Sequence, residues 1–418
     1  QVLIAQKKTE AALEIAERGR ARAFVELLAR RLNPTPTEIP IAPPDLQQIW
    51  QIAKQQNATL VQYSVMWDQA LFIWVIQPNG TITFRQVAIK PTHPSTASQR
   101  PAFLPNSAQS ELTQLIAKTR RSLRITGENP QQSGNLAFQP DPSQARKQLR
   151  RLHQLLIEPI ADQLPTNPND PVIFIPHSTL FFVPFPALQD ASGTYLIEKH
   201  TLLTAPSIQV LGLTRQQKTK AAKTGNSLVV GNPAMPKDLE PLPGAELEAK
   251  NIAQLLNTQP LLGAQATKAT VMQKMPQARI IHLATHGLFN SNRGLGSAVA
   301  LTPSGNDDGF LTAEEILNLR LAADLVVLSA CDTGKGQLTA DGVIGLSRSF
   351  IAAGTPSVLV SLWAVKDDST AFLMTEFYRI LQRQPNKAVA LRQAMLTTMK
   401  LRPNPIDWAA FTLIGEAN

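Results

Sequence analysis

The chain has one cysteine, Cys331, in 418 residues. A single thiol excludes an intramolecular disulfide and fits a reducing compartment, so a cytoplasmic setting is expected. No run of about 18 apolar residues occurs, and neither a membrane span nor a membrane partner is expected. There are six histidines. They form no His-Glu-x-x-His pattern, and Cys-x-x-Cys is absent, so no metal is expected. The Gly-rich stretches Gly334-Lys335-Gly336 and Gly342 to Gly345 lack the spacing of a phosphate-binding P-loop. Gly345–Gly354 (GLSRSFIAAG) reads instead as a helix closed by a glycine cap, and no nucleotide or other cofactor is expected. Charged residues make up only 17% of the chain and hydrophobic ones 43%, proportions that belong to a globular protein of two or three domains.

The formal net charge is +9. Its local clusters are Lys118–Arg124 and Arg146–Arg151. No aromatic residues interleave with them to make a base-stacking surface, so both read as solvated helix faces. Nucleic acid is expected only as an indirect partner. A chain that used these clusters directly would bind nucleic acid with steep salt dependence.

Hydrophobic spacing predicts a helix over Gln1–Leu32, stopped by Asn33-Pro34-Thr35-Pro36. An amphipathic helix opening at Gln1 has nothing before it to pack on, and is expected to end an upstream array of helical hairpins. After a linker at Pro40–Pro44, antiparallel strands are predicted at Thr59–Met66, Ala70–Ile76 and Thr81–Ile89. Their turns fall at Trp67-Asp68-Gln69 and Pro78-Asn79-Gly80. Helices near Glu111–Arg124 and Pro142–Gln163 follow, separated by a Pro/Gln-rich loop. Further strands are expected at Val172–Pro176, Leu180–Pro184 and Tyr195–Thr204.

Thr214–Asn226 is polar and basic, and is read as a boundary. Beyond it strands and helices alternate. Strands are Ser227–Gly231, Gln259–Gly263, Arg279–Thr285, Asp324–Ser329, Ser357–Ala364 and Phe411–Ile414. Helices are Glu246–Asn257, Ala269–Lys274, Ala313–Leu319, Val343–Ala353, Asp368–Gln382 and Lys387–Lys400. Val, Ile and Leu run without alternation in these strands, as in a sheet buried on both faces. The expected fold is α/β, a mostly parallel sheet flanked by helices. The expected division is a helical segment at 1–33, an N-terminal α/β subdomain at 45–213, a linker at 214–226 and a second α/β subdomain at 227–418.

Two motifs close buried strands: Ala284-Thr285-His286-Gly287 and Ser329-Ala330-Cys331-Asp332-Thr333-Gly334. In an open α/β sheet, functional groups converge at the carboxyl ends of strands. A thiol needs a nearby base to become thiolate at neutral pH, and His286 can supply it. The backbone N–H groups of Gly287 and Cys331 can hold a developing oxyanion. His286 would then protonate the leaving amine, and a backbone carbonyl suffices to orient its ring. His282 shares the strand face of His286 by period two, but without further convergent ligands it reads as a packed core residue.

The segments IIHLATHGLF, LTAEEILNLRL, LVVLSACDTG, DGVIGLSRSFIAAGTPSVLVSLWAV, FYRIL and DWAAFTLIG occur in that order. Together they resemble the CHAT family of caspase-like peptidases, often found behind tetratricopeptide repeats. VIFIPHSTLFFVPFPAL and TAPSIQVL also fit that family, and ALEIAERGRARAFVELLA is similar to the helix that joins the repeats to the CHAT part. The resemblance covers most of Val172–Gly415. It implies a caspase/separase-type fold, with the 45–213 region resembling a pseudo-protease half, and a His286–Cys331 dyad. Ser329 stands where the caspase motif Gln-Ala-Cys-x-Gly carries a specificity residue, so the P1 preference is left open by this position. LWAVKDDST resembles the separase segment that supplies an acidic pocket residue, and Asp367 matches it best. A carboxylate there would favour Arg or Lys at P1. Asp367 can equally cap the helix that follows it, and Trp363 can line the pocket or pack in the core. The expected function is a cysteine endopeptidase acting on protein substrates. Its gating is expected to come from a protein partner on upstream repeats, through ordering of Asp332–Asp341 and Asn290–Leu295. Lys335 is a candidate self-processing site. The alternative is a non-catalytic CHAT scaffold for protein binding.

Overall fold

The structure, a computed structural model, describes residues 1–32, 42–66, 70–89, 111–123, 142–222, 224–236, 239–288, 297–329, 340–363 and 367–418. Cys331 lies outside them. So do the turn at Trp67-Asp68-Gln69, most of the Pro/Gln-rich loop, Lys335, and the expected gating segments except 340–341.

The first 32 residues form three helices where hydropathy alone suggests one: α1 (Val2–Ala5), α2 (Thr9–Arg18) and α3 (Arg22–Leu32). The breaks fall at Lys7 and Ala21, both with positive φ. The second break has a tertiary cause. Arg20 turns inward and donates to the Pro176 carbonyl at 2.7 Å, the Tyr63 carbonyl at 2.6 Å and the Ser64 hydroxyl at 3.1 Å. Charge-assisted bonds of this kind outweigh the single helical turn they interrupt.

Helix α4 (Leu46–Gln56) has a capping box, with Asp45 and Gln48 exchanging bonds at its start. Then come β1 (Thr59–Met66), β2 (Ala70–Ile76) and β3 (Ile82–Ala88), a meander close to the predicted spans. Helices α5 (Glu111–Ser122) and α6 (Pro142–Leu156) precede β4 (Pro171–Ile175). The strand expected at Leu180–Pro184 is a 3-10 turn, Ser178–Phe182. Pro176, Pro184 and Pro186 around it lack the N–H that a ladder needs. The strand expected at Tyr195–Thr204 is split into a helical turn α7 (Leu196–Lys199) and a short β5 (Thr201–Thr204). Glu198 causes the split by accepting the Tyr195 N–H at 2.6 Å.

Helix α8 (Ile208–Lys220) fills the first part of the expected linker. Its polar residues Thr214 and Gln217 are buried, and Gln217 donates to the Ile351 carbonyl at 2.7 Å. Strand and helix then alternate through β6 (Ser227–Pro233), α9 (Pro243–Leu255), β7 (Leu261–Gly263), α10 (Lys268–Lys274) and β8 (Ile280–Ala284). Three short strands, β9 (Gly287–Leu288), β10 (Ala298–Ala300) and β11 (Phe310–Thr312), form a separate antiparallel sheet. The chain ends with α11 (Ala313–Asn318), β12 (Leu325–Leu328), α12 (Ala340–Ala353), β13 (Ser357–Ser361), α13 (Asp367–Leu381), α14 (Lys387–Leu401) and β14 (Phe411–Gly415).

The main sheet has 11 strands in the order β3-β2-β1-β4-β5-β14-β13-β12-β8-β6-β7. β1, β4, β5 and β14 run parallel to one another. β13, β12, β8, β6 and β7 also run parallel to one another. The two blocks meet antiparallel at β14 and β13. The sheet therefore crosses the division expected near residue 220 without a break. Its central strands β4, β8, β12 and β13 are buried throughout, as their unalternating apolar runs require.

A buried carboxylate ties the N-terminal part to the end of the chain. Glu416 is fully buried and accepts from Gln56 Nε2 at 2.7 Å, Thr214 Oγ1 at 3.1 Å and Arg215 Nη1 at 3.2 Å.

Candidate active site

Strands β8 and β12 are adjacent and parallel, with Leu283 opposite Leu328. Their pairing holds a constant offset of 45 residues. The same offset separates His286 from Cys331 in the sequence. Each residue thus follows the last paired position of its strand by three residues. Both strands leave the sheet on the same edge, as the parallel pairing demands.

His286 is fully buried. Its Nε2 lies 2.6 Å from the Glu240 carbonyl oxygen. A carbonyl can only accept, so Nε2 carries the proton and Nδ1 holds the basic lone pair. A backbone carbonyl thus orients the ring, as the sequence reading allowed. The flanking backbone is clamped as well. Ala300 N–H donates to the His286 carbonyl at 2.9 Å, and Thr285 Oγ1 donates to the Ala300 carbonyl at 2.7 Å. Gly287 opens β9 and pairs with Val299, which sets the plane of its peptide.

The loop bearing Glu240 joins β6 to α9. It is held at its far end by Asn232, whose Oδ1 accepts the Leu242 N–H at 2.8 Å. Neither Asn232 nor Glu240 stands out in the sequence. The working atom of Glu240 is its carbonyl, which every residue type possesses.

Ser329 directly follows β12, and its hydroxyl is buried without a hydrogen-bond partner among the described residues. Trp363 is 1% exposed and donates its indole N–H to the Ile406 carbonyl at 3.2 Å, the placement of a packed core side chain. Asp367 opens α13. The next carboxylate, Asp368, is engaged elsewhere, in an ion pair with Arg402 at 2.8 Å.

His282 lies in the core between two helices. Its Nε2 is 3.0 Å from Glu248 Oε1 on α9, and its Nδ1 is 3.3 Å from the Tyr378 hydroxyl on α13. All three side chains are buried, and the cluster fastens β8 to the helices on that face. Burial pushes the Tyr378 hydroxyl well above its ordinary range, and the Glu248 carboxylate adds to the effect. Among the described residues no three His, Cys, Asp or Glu side chains gather as a metal-binding group. Among them, too, no helix is long and apolar enough to cross a membrane.

The family model described as "CHAT domain" matches residues 146–416. The chain belongs to the CHAT domain family. Curated relatives of this CHAT protein include Tetratricopeptide repeat protein 28 of Mus musculus and of Homo sapiens. Each is 28% identical to it over all of this chain and 22% of the relative. The chain thus spans about a fifth of the length of the relatives it matches. Among solved structures it is similar to separase in the Saccharomyces cerevisiae separase–securin complex. The TM-score there is 0.49 at 11% identity, covering 88% of this chain and 31% of that one. It is also similar to the Arg-specific cysteine proteinase gingipain R. Here the TM-score is 0.39 at 10% identity, covering 73% of this chain and 74% of that one.

Proposed function

We propose that this CHAT domain is a cysteine endopeptidase with a His286–Cys331 dyad. The observation that carries the reading is the shared 45-residue offset, between paired positions of β8 and β12 and between the two motif residues. In the reaction, Nδ1 of His286 takes the Cys331 proton. The thiolate adds to a peptide carbonyl, with the oxyanion held by the Gly287 and Cys331 N–H groups. Collapse to a thioester expels the amine, which takes its proton from the imidazolium. Water, deprotonated by the same imidazole, then releases the acid and restores the thiol.

The Ser329 hydroxyl, buried and without a hydrogen-bond partner among the described residues, supports a place for it in the substrate pocket, since a buried hydroxyl is stabilised by a bond from a ligand. Asp367 is assigned to basic P1 recognition on the resemblance of its segment, while Trp363 supports the strand end from the core. The substrates are proteins chosen with the help of an upstream tetratricopeptide array. That array is also where an activating protein partner binds, and the setting is cytoplasmic. Full burial of His286 favours a second reading, a non-catalytic CHAT scaffold for protein–protein contact.

The test is covalent labelling of Cys331 by peptidyl electrophiles with Arg or Lys at P1, beside Cys331→Ala and His286→Ala. Labelling that needs His286 supports the dyad, and labelling only by probes with an apolar P1 discards the role of Asp367. An absence of labelling in the chain, and in the full-length protein activated with cell extract, selects the scaffold.

A further inference from the structure

Asn232 occupies an unusual place in its strand. It sits in β6 with φ of +42°, in the left-handed region that Asn tolerates better than most residues. The β6–β7 register slips between Gly231 and Pro233, so Asn232 is the bulged residue of that ladder. Bulges re-aim a side chain out of the regular alternation. Here the side chain is aimed at the start of α9. Its Oδ1 accepts from Leu242 N–H at 2.8 Å, and its Nδ2 donates to Glu246 Oε2 at 3.3 Å.

The segment it holds is Glu240-Pro241-Leu242-Pro243. Two prolines in four residues fix two φ angles near −65°. Few torsions remain between the Leu242 N–H that Asn232 grips and the Glu240 carbonyl that His286 meets. Holding one end of so stiff a segment therefore aims the other.

We infer that Asn232 is a positioning residue for His286: through the Leu242 N–H it aims the Glu240 carbonyl that keeps the imidazole protonated on Nε2 and basic on Nδ1. The inference rests on the dyad reading for its catalytic meaning, though not for its geometry. Asn232 touches neither substrate nor the reacting atoms, and its effect passes through the tautomer and orientation of the ring.

Asn232→Gly keeps the left-handed backbone and deletes the grip. Asn232→Asp keeps both the backbone and the Oδ acceptor for Leu242 N–H. Its second oxygen takes the place of the donor and would repel Glu246 Oε2, so this variant is made together with Glu246→Gln, whose amide can donate to that oxygen. Two readouts are compared on the purified chain. One is the nitrogen-15 pattern of the histidine rings, with His286 assigned through His286→Gln. The other is the pH profile of Cys331 alkylation by iodoacetamide, with melting curves to confirm folding.

Wild type and Asn232→Asp should show His286 protonated on Nε2, with Cys331 reactive below the pH range of an ordinary thiol. Asn232→Gly, though folded, should show mixed tautomers and alkylation at neutral pH slowed by about tenfold, the scale of losing a supporting hydrogen bond behind a reactive group. A folded Asn232→Gly with the wild-type tautomer and pH profile overturns the inference, as does an Asp variant that behaves like the Gly variant. If wild-type Cys331 alkylates as an ordinary thiol and His286→Gln changes nothing, the dyad reading fails instead. The tautomer comparison between the Asp and Gly variants then decides the role of Asn232 alone.

Discussion

Glu17 makes docking of the N-terminal helices depend on pH. It lies fully buried at the end of α2, and its Oε1 accepts from Gln209 N–H, in the first turn of α8, at 2.9 Å. Burial pushes its carboxyl from 4.5 up to about 7, outweighing the Arg20 charge and the Gln209 N–H, which pull the other way. In the folded chain the group is therefore neutral to about pH 7, whereas the unfolded chain ionises it near 4.5. Between those values the folded state holds more protons, so stability falls as pH rises through this window and is level above it. About two and a half units at about 1.36 kcal/mol each give a loss of about 3 kcal/mol. Urea denaturation at pH 5 and pH 7.5 measures the part that falls in this interval, about 2.4 kcal/mol, with Glu17→Gln as the reference. The amide cannot ionise, so the variant should lack that part of the pH dependence. Equal pH dependence in both proteins would refute the argument. So would a wild type that gains stability over the Gln variant on going to pH 7.5, since that would make the Glu17–Arg20 attraction the larger effect.

Two further substitutions probe the frame. In Gly231→Ala the new Cβ would stand 2.3 Å from Ala249 Cβ and 2.6 Å from the Ala245 carbonyl oxygen, so β6 and α9 must separate. The expected cost is about 2–3 kcal/mol in denaturant unfolding, with slower Cys331 alkylation because the loop leading into α9 carries Glu240. Unfolding within about 0.5 kcal/mol of wild type would mean that the helix yields freely. Glu416→Gln turns a carboxylate with three donors into an amide that must point its own N–H groups at one of them. The expected loss is about 1.5–3 kcal/mol by the same assay, and an unchanged midpoint would show that the three bonds are dispensable.

Much of the parallel core was legible because its strands are apolar without alternation and end in motifs of small residues. β8 and β12 fell within a residue of their predicted spans, and with them the level of His286. What stayed illegible has physical causes. The Gln1–Leu32 pattern is helical throughout, and the reach of Arg20 to carbonyls far along the chain, which breaks it at Ala21, is invisible to hydropathy. Helix α8 read as linker because the polar residues Thr214 and Gln217 are buried, each bonded to a distant partner that hydropathy does not see. Strands β9 to β11 are two or three residues long, too short for any period to emerge. At the site, the side chains of the proposed chemistry were visible in the sequence, while their support was not. Glu240 acts through its backbone, and Asn232 through a bulge that exists only once β6 and β7 pair.

The reversal of direction between β14 and β13 sets where the N-terminal helices are anchored relative to His286. β4 runs opposite to β8 and β12, so the end of β4 lies on the sheet edge where those two strands begin. Arg20 is bonded to Pro176, just past the end of β4. The N-terminal helices are thereby anchored on the edge opposite His286. They also touch α12. Arg348 lies over the Phe24 ring at 5.7 Å. Helix α12 begins directly after the segment carrying Cys331 and spans about 20 Å at 1.5 Å per residue. It has the segment carrying Cys331 before one end and α3 packed against it. Under the proposed function, a partner acting from the N-terminal side would meet the dyad through the seating of α12, in which the Phe24–Arg348 contact takes part.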